Sequence, residues 1–218
     1  MHILNLYSGI GGNRKLWENV RVTAVECDVD IANVYQKNYP DDIVILGDAL
    51  VYLENHYKNF DFIWASPPCQ SHGQYRHRVG VLAKDFSPIM PDMSLYAIIV
   101  FLKTYYRGKY VVENTKPYYD YLICPTIVLQ RHPFWTNFNV TPKKFTKDNI
   151  RTKNKISDFD GHEIVNNSNI KNKRQVLRNC VRPEIGEYLL QEAIKANIDG
   201  YSTHQKQFTI TDLLEGRR

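Results

Sequence analysis

The sequence has few of the features that would staple a small protein or place it in a membrane. Its four cysteines, Cys27, Cys69, Cys124 and Cys180, are widely spaced with no C-x-x-C pair. Neither a disulfide framework nor a metal knuckle is indicated, and Cys27, Cys124 and Cys180 read as buried apolar thiols. No apolar run approaches the roughly 18 residues of a membrane span, and MHILNLYSGIGG lacks a basic leader region. These absences predict a reduced, cytosolic or host-cytosolic protein with no membrane partner. The glycine turn SGIGG is not the dinucleotide fingerprint G-x-G-x-x-G, and no Walker lysine follows it. Hydride transfer and phosphate cradling both lose ground.

Net charge is small, +5 over 218 residues, but unevenly placed. Residues 139–182 hold eleven Lys/Arg against four Asp/Glu, which makes this segment +7 and leaves the remainder at −2. A basic segment on a near-neutral body suggests a polyanionic partner, nucleic acid first among candidates. A solvated Lys/Asn-rich loop is the plainer alternative.

The first half alternates strand-like and helix-like runs. HILNLY, VTAVEC, DIVILGD, FDFIWAS and KYVVENT read as strands; NRKLWENV, DVDIANVYQKNY, YLENHY and SLYAIIVFLKTYY read as helices. Such alternation predicts an α/β fold, a mostly parallel sheet with helices on both faces and ligands at the carboxyl ends of its strands. From about 139 to 175 no period is sustained, and loops with a short hairpin around DFDGHEIV are expected. EIGEYLLQEAIKANI returns to an amphipathic helix, and QKQFTITDLLEGRR is placed on the surface.

Four side chains at predicted strand ends carry chemistry. Glu26 ends the second strand, where a carboxylate can hold ribose hydroxyls, and Asp48 ends the third, where it can accept from an adenine amino group. Either alone is more commonly a helix cap. Two of them beside a glycine turn favour an adenosine-containing cofactor. Cys69 stands behind a proline pair that forces the chain out of the sheet, so the thiol is expected to be presented rather than packed. A nearby cation or helix N-terminus would make it a better nucleophile. Glu113 closes another apolar strand and brings a carboxyl to the same edge.

With these residues in place, the sequence resembles the DNA (cytosine-5) methyltransferases. LYSGIGG is similar to that family's cofactor loop, with Tyr7 where phenylalanine is usual. VECDVDIANVYQKNYP, LGDAL, SPPCQ, VVENT, VLQRHPFWT and RNCVRPEIGEYL resemble its later blocks in order, covering residues 3–138 and 178–195. The resemblance implies a Rossmann-like fold that uses S-adenosyl-L-methionine. It implies cofactor contacts from Tyr7, Ser8, Gly9, Ile10, Gly11 and Gly12, from Glu26, Cys27, Asp48 and Ala49, and from Pro67 and Asn179. Cys69 would add to carbon six of cytosine and Glu113 would protonate ring nitrogen three. Arg131 would orient the base and Glu113. Pro68, Gln70, Ser71 and Asn114 would line the substrate side, Asn114 also steadying the Pro-Cys loop. Arg76 and Arg78, on a loop closing over double-stranded DNA, would meet phosphates after the base is flipped.

The pattern departs from the family at three places. Pro133 stands near where a second arginine is usual, leaving base positioning to Arg131 and His132. Arg178 replaces the last block's glycine, which would bring a charge near the cofactor. Only residues 139–177 separate the blocks that related enzymes part with a large target-recognition domain. The implied organisation is a catalytic domain at 1–138, a short basic region at 139–177, and a C-terminal segment at 178–218 returning to the catalytic domain. A compact phage-type enzyme of low sequence specificity follows, in bacterial or phage-infected host cytoplasm. Alternatives are the same chemistry on RNA or a free cytosine nucleotide, or a subunit dependent on a partner protein for recognition. The histidines His72, His77 and His132 read as phosphate or base contacts, or solvated, rather than metal ligands. Binding titrations at rising salt separate polymer from nucleotide: affinity for a polyanion should fall steeply, and affinity for dCMP much less.

Overall fold

Two-residue periodicity in the apolar strands gives the sheet two buried faces. The structure, a computed structural model, describes residues 1–74, 77, 87–145, 165 and 168–198. Strands β1 (His2–Leu6), β2 (Arg21–Glu26), β3 (Ile43–Leu46), β4 (Phe62–Ala65) and β5 (Lys109–Glu113) are followed by the hairpin β6 (Ile127–Leu129) and β7 (His132–Thr136). They form one sheet in the order β3-β2-β1-β4-β5-β7-β6. Strands β1 to β5 pair in parallel, β7 runs antiparallel to β5, and β6 antiparallel to β7. This topology bears out the expected Rossmann-like methyltransferase fold.

Helices α1 (Val29–Asn38), α2 (Ala49–His56), α3 (Ser94–Tyr105), α4 (Lys173–Asn179) and α5 (Pro183–Ile198), with a short 3-10 helix at Tyr57–Asn59, complete the described elements. One sheet face presents Leu4, Leu6, Ile63, Ala65 and Val112 to α2 and α3, whose Leu53, Leu95, Ile98, Ile99 and Leu102 are buried there. The alternate residues, Ile3, Phe62, Trp64 and Val111, face Trp17 and the α5 side chains Ile185, Leu189, Leu190 and Ala193. Burying three aliphatic side chains of α5 at about 1.5–3 kcal/mol each is comparable with a domain's whole stability of roughly 5–15 kcal/mol. The C-terminal helix is therefore part of the core, and Gly186 lets it come close: a Cβ there would stand 2.2 Å from the Asn13 carbonyl oxygen.

The helix expected over NRKLWENV does not form. Residues 12–16 are successive turns, with bonds three residues apart from Arg14 N to Gly11 O and from Trp17 N to Arg14 O. Tertiary contacts outweigh helix propensity here. Trp17 is buried against Phe62 and Trp64, and the Arg14 guanidinium grips Asp42 through Nε at 2.9 Å and Nη2 at 3.0 Å while its Nη1 donates to Trp17 O. Tyr35 donates to the same carboxylate at 2.9 Å. The β6–β7 hairpin and α4 had no periodic signal, being only three, five and seven residues long. The expected hairpin around DFDGHEIV and the segment QKQFTITDLLEGRR lie outside the described residues, Val165 apart.

Asp42 and Arg14 form a pair on which the turn segment rests. Asp42→Asn leaves a half-buried guanidinium without its counter-charge and should lower the unfolding free energy by about 3 kcal/mol. Urea denaturation measures this. A loss below about 1 kcal/mol would mean that the pair behaves as a solvent-screened surface bridge.

Candidate active site

Register brings three strand ends together. Leu6 pairs with Ala65 and Ala65 with Val112, so the chain leaves β1 at Tyr7, β4 at Ser66 and β5 after Glu113 along one edge.

The β1 exit is the glycine turn. Tyr7, Gly9 and Gly11 all have positive φ, at 54°, 55° and 83°. At Gly11 a side chain would collide with the Tyr39 ring at 2.2 Å, and the Tyr39 hydroxyl donates to Gly11 O at 2.6 Å. At Gly9 a Cβ would meet nothing within 4 Å, and the same is true of Gly47 beyond β3. Glu26 lies between them and shapes the turn: Oε2 accepts from Gly9 N at 3.0 Å, and Oε1 from Cys27 N at 2.9 Å and Asp28 N at 3.1 Å. Ser8 Oγ is buried and has no hydrogen-bond partner among the described residues. Open space at two glycines, an unmatched hydroxyl and a carboxylate fit a polar cofactor with hydroxyl groups. Asp48 Oδ1 caps α2, accepting from Leu50 N at 2.7 Å and Val51 N at 3.0 Å, with Ala49 buried behind it. Tyr7 is half-buried, and burial with the nearby Asp48 and Asp92 pushes its phenol up to about 12.

The β4 exit carries the thiol. Pro67 is buried and Pro68 exposed; Cys69 O then accepts from both His72 N and Gly73 N, closing a turn. Gln70 is exposed at its tip, while Ser71 Oγ accepts from Asp92 N. The loop is fastened to the chain beyond β5: fully buried Asn114 donates from Nδ2 to Pro67 O at 2.9 Å, and its Oδ1 accepts from Thr115 N. His72 is fully buried with Nδ1 2.5 Å from the Tyr119 hydroxyl, so it is not the solvated or phosphate-binding residue anticipated. His77 stacks on Tyr118 at 4.7 Å. Arg76 and Arg78 lie outside the described residues.

Cys69 differs from expectation. Its thiol is half-buried, and burial together with the Glu113 charge pushes it up to about 11, Arg131 opposing the shift. Cys27 and Cys124 also differ, being exposed rather than packed in the core. Cys180 is half-buried and donates to Val176 O at 3.4 Å, and burial pushes its thiol up to about 12.

Around the β5 exit, Glu113 is buried and its Oε1 lies 2.5 Å from His132 Nδ1. Arg131 does not meet Glu113 among the described contacts. Its Nε donates to His132 Nε2 at 3.1 Å and its Nη2 to Arg178 O at 3.0 Å. Arg178 is itself exposed, at the end of α4. The next residue, Asn179, has Oδ1 3.9 Å from Cys69 Sγ, so α4 reaches the thiol directly. In the sequence His132 stood beside Arg131 for base positioning and as a phosphate or base contact or a solvated side chain; it is instead buried against Glu113 and not solvated. Its link to Glu113 depends on the β5–β7 pairing, which the sequence did not reveal.

Residues 1–87 match the model of the C-5 cytosine-specific DNA methylase family. The resemblance seen in the sequence is borne out there. That span contains the glycine turn, Glu26, Asp48 and Cys69, and ends before Glu113, Arg131 and Asn179. No curated protein matches the chain in sequence. Solved structures similar to it include a hypothetical protein of Thermus thermophilus, 17% identical with TM-score 0.43, covering 62% of this chain and 73% of that one. A protein described as a DNA modification methyltransferase encoded within an E. coli prophage is 20% identical with TM-score 0.37, over 55% of this chain and 33% of that one. DNMT2 of Spodoptera frugiperda is 26% identical with TM-score 0.39, over 53% and 35%. The chain thus spans about a third of the length of the last two.

The raised Cys69 thiol has a direct readout in peptide-resolved alkylation by iodoacetamide. The Cys69 rate should rise roughly tenfold per pH unit from about pH 8 to about pH 10, because only the thiolate reacts. Glu113→Gln, which removes the opposing charge, should speed labelling at a given pH. A plateau already at about pH 8 would contradict the burial argument.

Proposed function

We propose that the chain is a DNA (cytosine-5) methyltransferase that transfers a methyl group from S-adenosyl-L-methionine to carbon five of cytosine through a covalent Cys69 adduct. The observation that carries this reading is the convergence of thiol and carboxyl. Cys69 and Glu113 leave adjacent parallel strands at one edge, joined by the Asn114 bond to Pro67 O, with the glycine turn on the next strand. The family match over residues 1–87 supports it. The cofactor's adenosine would lie by the glycine turn, with Glu26 and Asp48 at its hydroxyl and amino groups and Ser8 Oγ within the cradle. When bound, S-adenosylmethionine supplies an electrophilic methyl group on a sulfonium.

The protein's own residues prepare the base. Cys69 sulfur bonds to carbon six, ring electrons shift toward nitrogen three, and a proton held by Glu113 goes to that nitrogen. Carbon five thereby becomes nucleophilic. After methylation carbon five loses its proton to water, the C6–S bond breaks with its electrons leaving on Cys69 sulfur, and nitrogen three returns its proton to Glu113, which restores the ring. Attack requires a thiolate beside a protonated carboxyl; because burial and the Glu113 charge favour the thiol, passing the Cys69 proton to Glu113 would form that pair without adding a second charge to the site.

Because carbon six is stacked within a duplex, the base is flipped into the pocket, which costs a few kcal/mol. The basic helix α4 suits a phosphate backbone: Lys173, Arg174 and Arg178 sit on the helix whose last residue, Asn179, stands at Cys69. With only residues 139–177 between the blocks, sequence readout is expected to be short or relaxed. Restriction protection of a phage genome, in a bacterial cytoplasm, is the role such an enzyme would serve. Among the described residues no helix is long and apolar enough to cross a membrane.

The test is methyl transfer from labelled S-adenosylmethionine to unmethylated duplex DNA, alongside dCMP, total transfer RNA and Cys69→Ala. Label recovered as 5-methylcytosine in duplex DNA, and lost in the variant, is the expected result. Label in RNA or dCMP alone would move the activity to those substrates. Silence on all three, with recovery on adding a partner chain, would make this a partner-dependent subunit.

A further inference from the structure

Glu113 has two oxygens, and protonating ring nitrogen three requires one of them to hold a hydrogen toward the base. The hydrogen bonds behind the carboxyl decide which. An arginine Nε always carries hydrogen, so Arg131 Nε, 3.1 Å from His132 Nε2, is the donor and Nε2 must offer its lone pair. A neutral imidazole whose Nε2 is bare has its hydrogen on Nδ1. That atom is 2.5 Å from Glu113 Oε1. The imidazolium form would set two donors face to face at Nε2, and burial of His132 keeps water from separating them.

We infer that His132 is a positioning residue: held in its Nδ1–H form by Arg131, it occupies Oε1 of Glu113 as an acceptor and leaves Oε2 to hold the proton that meets the base. The inference rests on the cytosine reading above for its last clause, but the His132 form itself follows from the hydrogen bonds. The charged and titratable groups around the carboxyl are Arg131 on the β6–β7 turn, Cys69 on the β4 loop and Cys180 beyond α4, both thiols being raised partly by Glu113. None of these donates to Oε1 among the described residues. The turn that carries Arg131 is anchored in turn by Arg178 O at the end of α4, so the same helix that reaches Cys69 also holds the chain of donors behind Glu113. Thiol and acid are positioned from one element. A histidine thereby does from behind what a second arginine could not: it fills one oxygen without adding a charge.

Two measurements test this. In 15N spectra of the full chain at neutral pH, the His132 ring should show hydrogen on Nδ1 and a bare Nε2, whereas in Arg131→Ala that tautomer should lose its preference. In methyl transfer, His132→Asn places an amide donor near the former Nδ1 and His132→Gln places its polar end near the former Nε2. The glutamine variant should lose kcat about a hundredfold, the loss of one hydrogen bond to a charged group, with the acidic limb of the pH profile displaced. The asparagine variant should lose about tenfold less. Hydrogen on Nε2 in the wild-type protein, or equal losses in the two variants, would overturn the inference. If the wild-type protein methylates no cytosine, the functional reading fails while the ring spectrum still decides the form of His132.

Discussion

The bond from Asn114 Nδ2 to Pro67 O ties the Cys69 loop to the Glu113 strand, and much of the site depends on it. Both groups are buried and neither has an alternative partner in solvent, so losing the bond would leave an amide and a carbonyl unsatisfied. Parallel pairing of β4 and β5 puts the two chain exits side by side, but the sheet ends before Cys69 and says nothing about where the thiol points. The Pro-Pro step stiffens the loop. The asparagine, next to the acid itself, sets its distance from Glu113.

Charge is used sparingly around that bond. Glu26 spends its carboxylate on three backbone amides of the turn and the strand end, Asp48 caps a helix through one oxygen, and Glu113 faces the His132 imidazole rather than a guanidinium. A thiol shielded from water near a carboxylate resists ionisation, and the Cys69 thiol is pushed up accordingly. Besides Arg131 behind His132, positive charge gathers on α4, where Arg174 and Arg178 are exposed.

Most of the sheet was legible because its strands are short apolar runs closed by polar strand ends, a pattern that parallel pairing imposes directly. α1, α2, α3 and α5 were legible for a similar reason, having periodic apolar faces and, at Asp28 and Asp48, aspartate caps. The segment NRKLWENV misled because its composition favours helix while Trp17, Arg14 and Asp42 together hold it in turns. Burial of one indole and pairing of one guanidinium outweigh a few tenths of a kcal/mol per residue of propensity. The β6–β7 hairpin was invisible because three- and five-residue strands around a two-residue turn carry no period, with Gln130 at φ 55° making the reversal.

The sequence by itself determined the kind of chemistry and its ingredients: a glycine turn, acidic strand ends, a thiol behind two prolines and a glutamate closing an apolar strand. These are properties of local pattern, since strand ends and proline pairs act on their own neighbours. Only the tertiary structure decided how reactive those groups are. Whether Cys69 is thiol or thiolate, which oxygen of Glu113 is free, and why His132 rather than Arg131 touches the acid depend on burial and on residues brought together from β4, β5, β7 and α4. Proton affinity and hydrogen-bond direction are set by what lies within a few ångströms in space, and for this site those neighbours are mostly distant in sequence.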